Sequence, residues 1–286
     1  MSHPISRRLK TAGIAVLLLS AVVTVGRPAS GSRTLENSEI ELTFLANAGV
    51  LLKTENKTIL IDALFDKPNP EYEAPSAQTL EIMRKGESPF QNIDLVLVTH
   101  NHPDHFSATI AAGFLLVHPN TIFLAAGDTV SALKEQMSDW EAVSDRFISF
   151  DLEPGEKEKI EVNDLSITVI RTLHSGERDT PHNLMFLFTM DGRTIFHEGD
   201  SDGTIETFNV PELTTSPIDL ALVHYWFPFT EAGRSIILEI LKPKNVGLIH
   251  LPVRLKTDAP EKIDLIRAEY KNIFLLMNPG EKIILN

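Results

Sequence analysis

The stretch Ile93-Asp94-Leu95-Val96-Leu97-Val98-Thr99-His100-Asn101-His102-Pro103-Asp104-His105 joins an apolar run to a cluster of metal-seeking side chains. The run predicts a strand over Ile93–Val98. Three His and one Asp then fall within six residues. Neutral imidazole and carboxylate are good Zn²⁺ ligands, with bonds of about 2.0–2.2 Å. A turn at a strand end aims neighbouring side chains at different points. His100 and His102 can face one way while Asp104 and His105 face another, an arrangement that suits two metals better than one. Pro103 keeps His102 out of the α region and helps to fix the turn. If Asp104 merely caps a helix starting near Ser107, that explains one residue of the four.

Working outward, Ile40–Leu45, Val50–Leu52 and Thr58–Ile61 read as a meander of strands, with turns at Asn47-Ala48-Gly49 and Glu55-Asn56-Lys57. Asp66–Ser76 is a Pro-rich loop. Helices are expected at Ala77–Lys85, Ser107–Val117, Thr129–Trp140, Glu231–Leu241 and Glu261–Tyr270. Further strands are expected at Thr121–Ala125, Arg146–Phe150, Lys159–Val162, Ser166–Arg171, Leu184–Thr189, Thr194–His197, Ile218–Val223, Val246–His250, Asn272–Leu276 and Lys282–Leu285. Many strands punctuated by helices imply a layered α/β body in one domain. Several strands end in metal-ligating residues: His174 follows Ser166–Arg171, His197-Glu198-Gly199-Asp200 closes another, and His250 ends a third. Each is unremarkable alone; in this order after the first motif they form a set.

The series His100-x-His102-x-Asp104-His105, His174, Gly199-Asp200, His250 resembles the metallo-β-lactamase superfamily of binuclear metal hydrolases. The local wording of Thr99–His105, Leu173–Gly176 and Phe196–Asp200 is similar to its lactonase and phospholipase-D-like branch. The resemblance runs from about Ile40 to the C-terminus and implies a four-layer αβ/βα sandwich with metals at one edge. It implies that His100, His102 and His174 bind a first metal and Asp104, His105 and His250 a second, with Asp200 bridging. Asp62, at the end of Thr58–Ile61, resembles the family's Asp beneath the metals. The cofactors so implied are two Zn²⁺, with iron or manganese as alternatives. The β-lactamases proper of that superfamily lack the bridging carboxylate, so Asp200 argues against antibiotic amide hydrolysis as the main activity. The chemistry implied is attack by a metal-bridging hydroxide on an ester, lactone or phosphodiester, with Asp104 as the catalytic residue that orients the nucleophile. An iron-dependent oxidoreductase on the same scaffold is the competing reading, although flavin-coupled diiron members usually carry a carboxylate where His102 stands. A non-catalytic zinc-binding protein is the third.

His224 also ends an apolar strand and competes with His250 for the last ligand position. The loop after it, Tyr225-Trp226-Phe227-Pro228-Phe229, is unusually aromatic. It reads either as core packing or as a pocket wall, with His182 and His224 hydrogen-bonding the substrate.

The 286 residues are 43% apolar and 23% charged, which excludes a disordered or low-complexity chain. With no Cys, disulfides, thiolate metal sites and cysteine nucleophiles are excluded. Net charge is −13, yet residues 1–31 carry Arg7, Arg8, Lys10 and Arg27 and no acid. Without them 22 basic residues face 39 acidic ones, a net charge of −17. A body this acidic repels a phosphate backbone, so a small neutral or apolar substrate is expected and nucleic acid is not. The basic start, the apolar run Ala12–Gly26 and the small residues Pro28–Ser32 have the order of a secretory signal. Cleavage after Gly31 would leave a hydrolase domain over 32–286 in the periplasm or outside the cell, with an uncleaved N-terminal membrane anchor as the alternative. The apolar run is shorter than the roughly 20 residues that cross a bilayer, so no span is expected after its removal.

Overall fold

Leu95 and Leu97 face one apolar layer while Val96 and Val98 face another, and this two-sided burial explains why the strand carries no polar residue within it. The computed structural model describes residues 38–66, 69–176 and 178–286; the expected secretory segment lies outside them. Seven strands form the first sheet: β1 (Ile40–Ala46), β2 (Gly49–Lys53), β3 (Thr58–Ile61), β4 (Leu95–Leu97), β5 (Ile122–Ala126), β6 (Phe147–Phe150) and the C-terminal β14 (Lys282–Leu285). Their order is β14-β1-β2-β3-β4-β5-β6, antiparallel up to β3 and parallel from β3 to β6.

The second sheet holds β7 (Lys157–Val162), β8 (Leu165–His174), β9 (Arg178–Met190), β10 (Arg193–His197), β11 (Leu220–His224), β12 (Asn245–Ile249) and β13 (Ile273–Leu275), in the order β13-β12-β11-β10-β9-β8-β7. Strands β7 to β10 pair antiparallel and β10 to β13 parallel. The inner faces of the two sheets meet in one core that includes Leu42, Ile61, Leu97, Phe186, Phe188 and Leu222. Helices α1 (Ala77–Lys85), α2 (Ala108–Val117) and α3 (Gly127–Lys134) cover the outer face of the first sheet through Met83, Phe114, Leu115 and Leu133. Ser76 and Ser107 cap the first two, accepting from the amides of Thr79 and Ile110. Short helices at Ile205–Phe208 and Pro211–Thr215 cover the second sheet, with Glu231–Ser235 and its π-helical continuation Ile236–Leu241, and Ala259–Ile266. The layers are therefore helix, sheet, sheet, helix, and the fold is the αβ/βα sandwich.

The structure departs from expectation in three places. Strands β8 and β9 reach beyond Ser166–Arg171 and Leu184–Thr189, so that His174 lies inside β8. Their outer ends carry Thr172, His174, Asp179 and Thr180, whose polarity hides the pairing from a search for apolar alternation. The helix expected over Thr129–Trp140 ends at Lys134, and a new turn begins at Trp140, whose ring stacks on Phe147 at 4.5 Å. The helices at Ile205–Phe208 and Pro211–Thr215 are too short to show a helical period. No helix among the described residues is long and apolar enough to cross a membrane.

Candidate metal centre

The parallel strands β3, β4, β10, β11 and β12 all finish at one edge, where His224 is the last residue of β11 and the segments that follow the other four supply Asp62, Thr99 to His105, Glu198 to Asp200 and His250. His174 reaches the same edge from β8, fastened to the β10 loop where Ser175 N–H donates to Asp200 O (2.7 Å). The loop carrying Asp200 turns at Gly199, where φ is +63°. A β-carbon there would lie 2.4 Å from Asn183 Oδ1 and 2.8 Å from Thr99 Cβ, so only Gly fits. Asn183 Oδ1 accepts from the Asp200 amide (2.9 Å) and so fixes the carboxylate's approach.

Asp200 is the hub. Its Oδ2 lies 3.7 Å from His100 Nε2, 3.6 Å from His174 Nε2 and 3.3 Å from His250 Nε2. Its Oδ1 lies 3.3 Å from His105 Nε2 and 3.4 Å from His224 Nε2. His100 Nε2 and His102 Nδ1 are 3.1 Å apart, and Asp104 Oδ2 is 3.8 Å from His250 Nε2. Two ligands each 2.1 Å from a tetrahedral cation stand about 3.4 Å apart. The spacing is that of atoms arranged around cations. Among the described residues three groups of donors each have their ligand atoms within 4.8 Å of one another: His100, His102, His174 and Asp200; Asp104, His105 and His250; and Asp200, His224 and His250. Asp200 Oδ1 and His250 Nε2 are buried and have no hydrogen-bond partner among the described residues, a costly state that a bound cation relieves. The donor set fits a metal.

Beneath the cluster, Asp62 is fully buried and accepts three hydrogen bonds: from Thr99 N (2.8 Å), Thr99 Oγ1 (2.6 Å) and His105 Nδ1 (2.9 Å). A carboxylate only accepts, so His105 carries a hydrogen on Nδ1 and keeps Nε2 as the nitrogen that can ligate. Thr99 Oγ1 gives its hydrogen to Asp62 and so accepts from His100 Nδ1 (3.0 Å), which exposes the His100 Nε2 lone pair as well. One carboxylate thus sets the tautomer of a histidine in each of the first two groups. His197 makes the opposite case: Nε2 donates to Ala48 O and Nδ1 accepts from Gly199 N, so both nitrogens are used on backbone and the residue is structural.

Burial, followed by the charge of neighbouring His105, holds His100 well below the usual imidazole range, and burial brings His102 to about 4. Both are neutral at pH 7, as ligands must be. Burial opposes charge on His105 and His224 too, yet the carboxylates facing them outweigh it. Asp200 and Asp62 raise His105 well above its usual range, and Glu198 and Asp200 carry His224 to about 10. The centre therefore draws positive charge, held as protons on His105 and His224 until a bound cation displaces them.

A cleft of about 530 Å³ opens over the cluster. His102, Asp104, His174, Asp200, His224 and His250 border it, and Tyr72, Tyr225, Trp226 and Leu255 add aromatic and apolar wall. Glu71 and Arg254 bring charge to the same wall. Tyr72 stands edge-on to His250 with ring centroids 4.1 Å apart, and burial, then the field of Asp200, raises its phenol to about 12. His182 stands apart from the lining: it is half-buried on β9, with its amide directed at Asp128 Oδ2 (3.3 Å). Four contributors went unseen in the sequence. Asn47 donates to Asp104 O (3.0 Å), and Asn183 holds the Asp200 amide. Tyr72 lies in the Pro-rich loop. Glu198 is fully buried, with Oε1 2.7 Å from His224 Nδ1. Only Glu198 left a trace, as an acid inside the quoted His197–Asp200 motif.

Residues 41–243 match the family model described as the beta-lactamase superfamily domain. A UPF0173 metal-dependent hydrolase of Saccharolobus solfataricus is 26% identical over 252 residues, covering 86% of this chain and 99% of its own length. Among solved structures, the metallo-β-lactamase-fold protein YhfI of Bacillus subtilis aligns with a TM-score of 0.57 at 12% identity, covering 87% of this chain and 100% of its own. The metallo hydrolase Igni18 of Ignicoccus hospitalis aligns with a TM-score of 0.56 at 15% identity, covering 87% and 99%. With the family match spanning well over half its length and the two-sheet sandwich beneath it, the chain belongs to the β-lactamase superfamily and has the metallo-β-lactamase fold.

Proposed function

We propose that the protein is a dinuclear zinc hydrolase acting on an ester, lactone or phosphodiester bond of a small neutral or apolar molecule. The observation that carries this reading is the convergence of five imidazole Nε2 atoms on the two oxygens of Asp200, 3.3–3.7 Å away, at the floor of an open cleft. His100, His102 and His174 would hold one cation and Asp104, His105 and His250 the other, with Asp200 facing both. Bound there, the pair supplies Lewis acidity and brings the ionisation of water towards neutral pH.

The chain's own residues do the rest. Asp62 keeps two of the histidines in the tautomer that ligates. Asp104, steadied by Asn47 and bordering the cleft, is placed to orient the attacking water and take up its proton. Tyr72, Tyr225 and Trp226 line the cleft and supply the apolar wall that an apolar substrate would meet. The acidic body disfavours a polyanion. The order of basic, apolar and small residues over 1–32 supports a site of action outside the cytoplasm.

The test is metal analysis of protein purified without added metal, followed by chromogenic esters, lactones and phosphodiesters assayed with and without chelator. Zinc at two equivalents and chelator-sensitive turnover of one bond class are expected. His100→Ala and Asp200→Asn should lose turnover by 10³-fold or more, on the scale of losing metal-borne charge stabilisation, with far-ultraviolet circular dichroism unchanged. Full turnover in either variant contradicts the proposal, and iron with oxygen consumption favours an oxidoreductase instead. Hydrolysis confined to β-lactam amides would overturn the assigned bond class.

A further inference from the structure

His224 and Glu198 repeat, on the opposite side of Asp200, the arrangement that His105 makes with Asp62. In each pair a fully buried carboxylate accepts from Nδ1, at 2.9 Å in one and 2.7 Å in the other. In each pair Nε2 is left facing Asp200 Oδ1, at 3.3 and 3.4 Å. Glu198 is itself fixed: its Oε1 also accepts from the His224 amide, and its Oε2 accepts from Ser201 Oγ (3.1 Å). The ring of His224 lies 4.6 Å from that of His250, and the two nitrogens share a donor group with Asp200. A core histidine of purely structural purpose spends both nitrogens on backbone partners, as His197 does, with Nε2 donating to Ala48 O and Nδ1 accepting from Gly199 N. His224 instead directs Nε2 at the hub of the centre.

We infer that His224, oriented by Glu198, is an additional nitrogen ligand of the second cation, acting beside His250 and Asp200. The assignment rests on the dinuclear reading and enlarges the ligand set by one residue. It also removes the competition between His224 and His250, because both serve. A carboxylate behind a ligating imidazole fixes its tautomer and strengthens its donor nitrogen, and losing such a partner typically weakens metal binding 10- to 100-fold. Glu198 is that partner here.

The experiment uses full-length protein stripped of metal and titrated with Co²⁺, followed by calorimetry and by the visible absorption of the bound ion. Wild type should take up two equivalents. His224→Gln, close to the original in volume, should bind the first with unchanged affinity and the second at least 10-fold more weakly, with an altered visible band for that step. Glu198→Gln should weaken the same step about 10-fold and decides the matter alone if His224→Gln does not fold by circular dichroism. If both variants fold and take up two ions with wild-type affinity and spectrum, whatever their turnover, His224 is a substrate contact and the assignment falls. A wild type that binds fewer than two ions overturns the dinuclear reading itself, and the ligand assignment with it.

Discussion

Replacing Asp62 with Asn changes one oxygen to an amide nitrogen at a site with no solvent access, and its effect can be followed hydrogen by hydrogen. In the wild type Oδ1 accepts from the Thr99 amide, while Oδ2 accepts from Thr99 Oγ1 and His105 Nδ1. Asn must keep its oxygen toward the Thr99 amide, because the reverse places two donors 2.8 Å apart. Its NH₂ group then faces Thr99 Oγ1 and His105 Nδ1 and donates to both. His105 moves its hydrogen to Nε2 and loses the lone pair it would offer a metal. Thr99 turns its own hydrogen towards His100 Nδ1, which inverts that imidazole as well. The hydrogen bonds are reversed and not lost, so the fold loses only the charge-assisted part, about 1–3 kcal/mol. That corresponds to roughly 2–4 °C of melting temperature per kcal/mol at this size. Both metal affinities fall, by roughly 10- to 100-fold each. The assay is metal titration of the stripped variant beside its melting curve. Wild-type affinity at both sites would refute the tautomer reasoning, and loss at only one would show that Thr99 does not relay the effect.

Three further outcomes are expected. Gly199→Ala forces a side chain into a left-handed φ and against Asn183 and Thr99, costing about 2–5 kcal/mol; because Asn183 holds the Asp200 amide, metal uptake should fall with stability in chemical denaturation. Burial works against the charge on Asp191, but bonds from Thr54 Oγ1 (2.6 Å), Asn56 N (3.0 Å) and Asn56 Nδ2 (3.2 Å) prevail and depress its carboxyl below 3.8. A depressed carboxyl stabilises above its unfolded value and loses that contribution as the pH falls through its folded value. Asp191→Asn should therefore cost about 1 kcal/mol at pH 7, and urea melts should show the difference closing below about pH 4. Chelator should lower the melting temperature of the holoprotein by roughly 10 °C if the metal is present at a thousand times its dissociation constant; an unchanged melt would mean that no cation is held by the folded core.

How much of this was legible in the sequence follows from how local each feature is. His100 to His105 form one turn after one strand, so their chemistry could be read from spacing alone. The strands carrying Asp62, His174, Asp200 and His250 could be read from apolar runs, but their convergence could not, and resemblance to a family supplied the set. Glu198 escaped because its meaning depends on β10 lying parallel to β11 with His197 opposite Leu222, which brings the next residue beneath His224. Nothing in a Glu between His and Gly reports a neighbour 26 positions away. Asn183 and Asn47 escaped for the same reason: each looks like an ordinary strand or turn residue until another loop is folded against it. The polar ends of β8 and β9 escape because strand prediction follows apolar alternation, and Thr172 and His174 are polar although the fold buries them.

Anomalous diffraction from crystals of the metal-loaded protein, collected at the zinc absorption edge, tests the central claim most directly. Two peaks about 3.5–4 Å apart are expected, one among His100, His102 and His174, the other among Asp104, His105 and His250, with Asp200 in contact with both. A single peak away from Asp200, or no peak in protein that retains its turnover, would contradict the dinuclear centre.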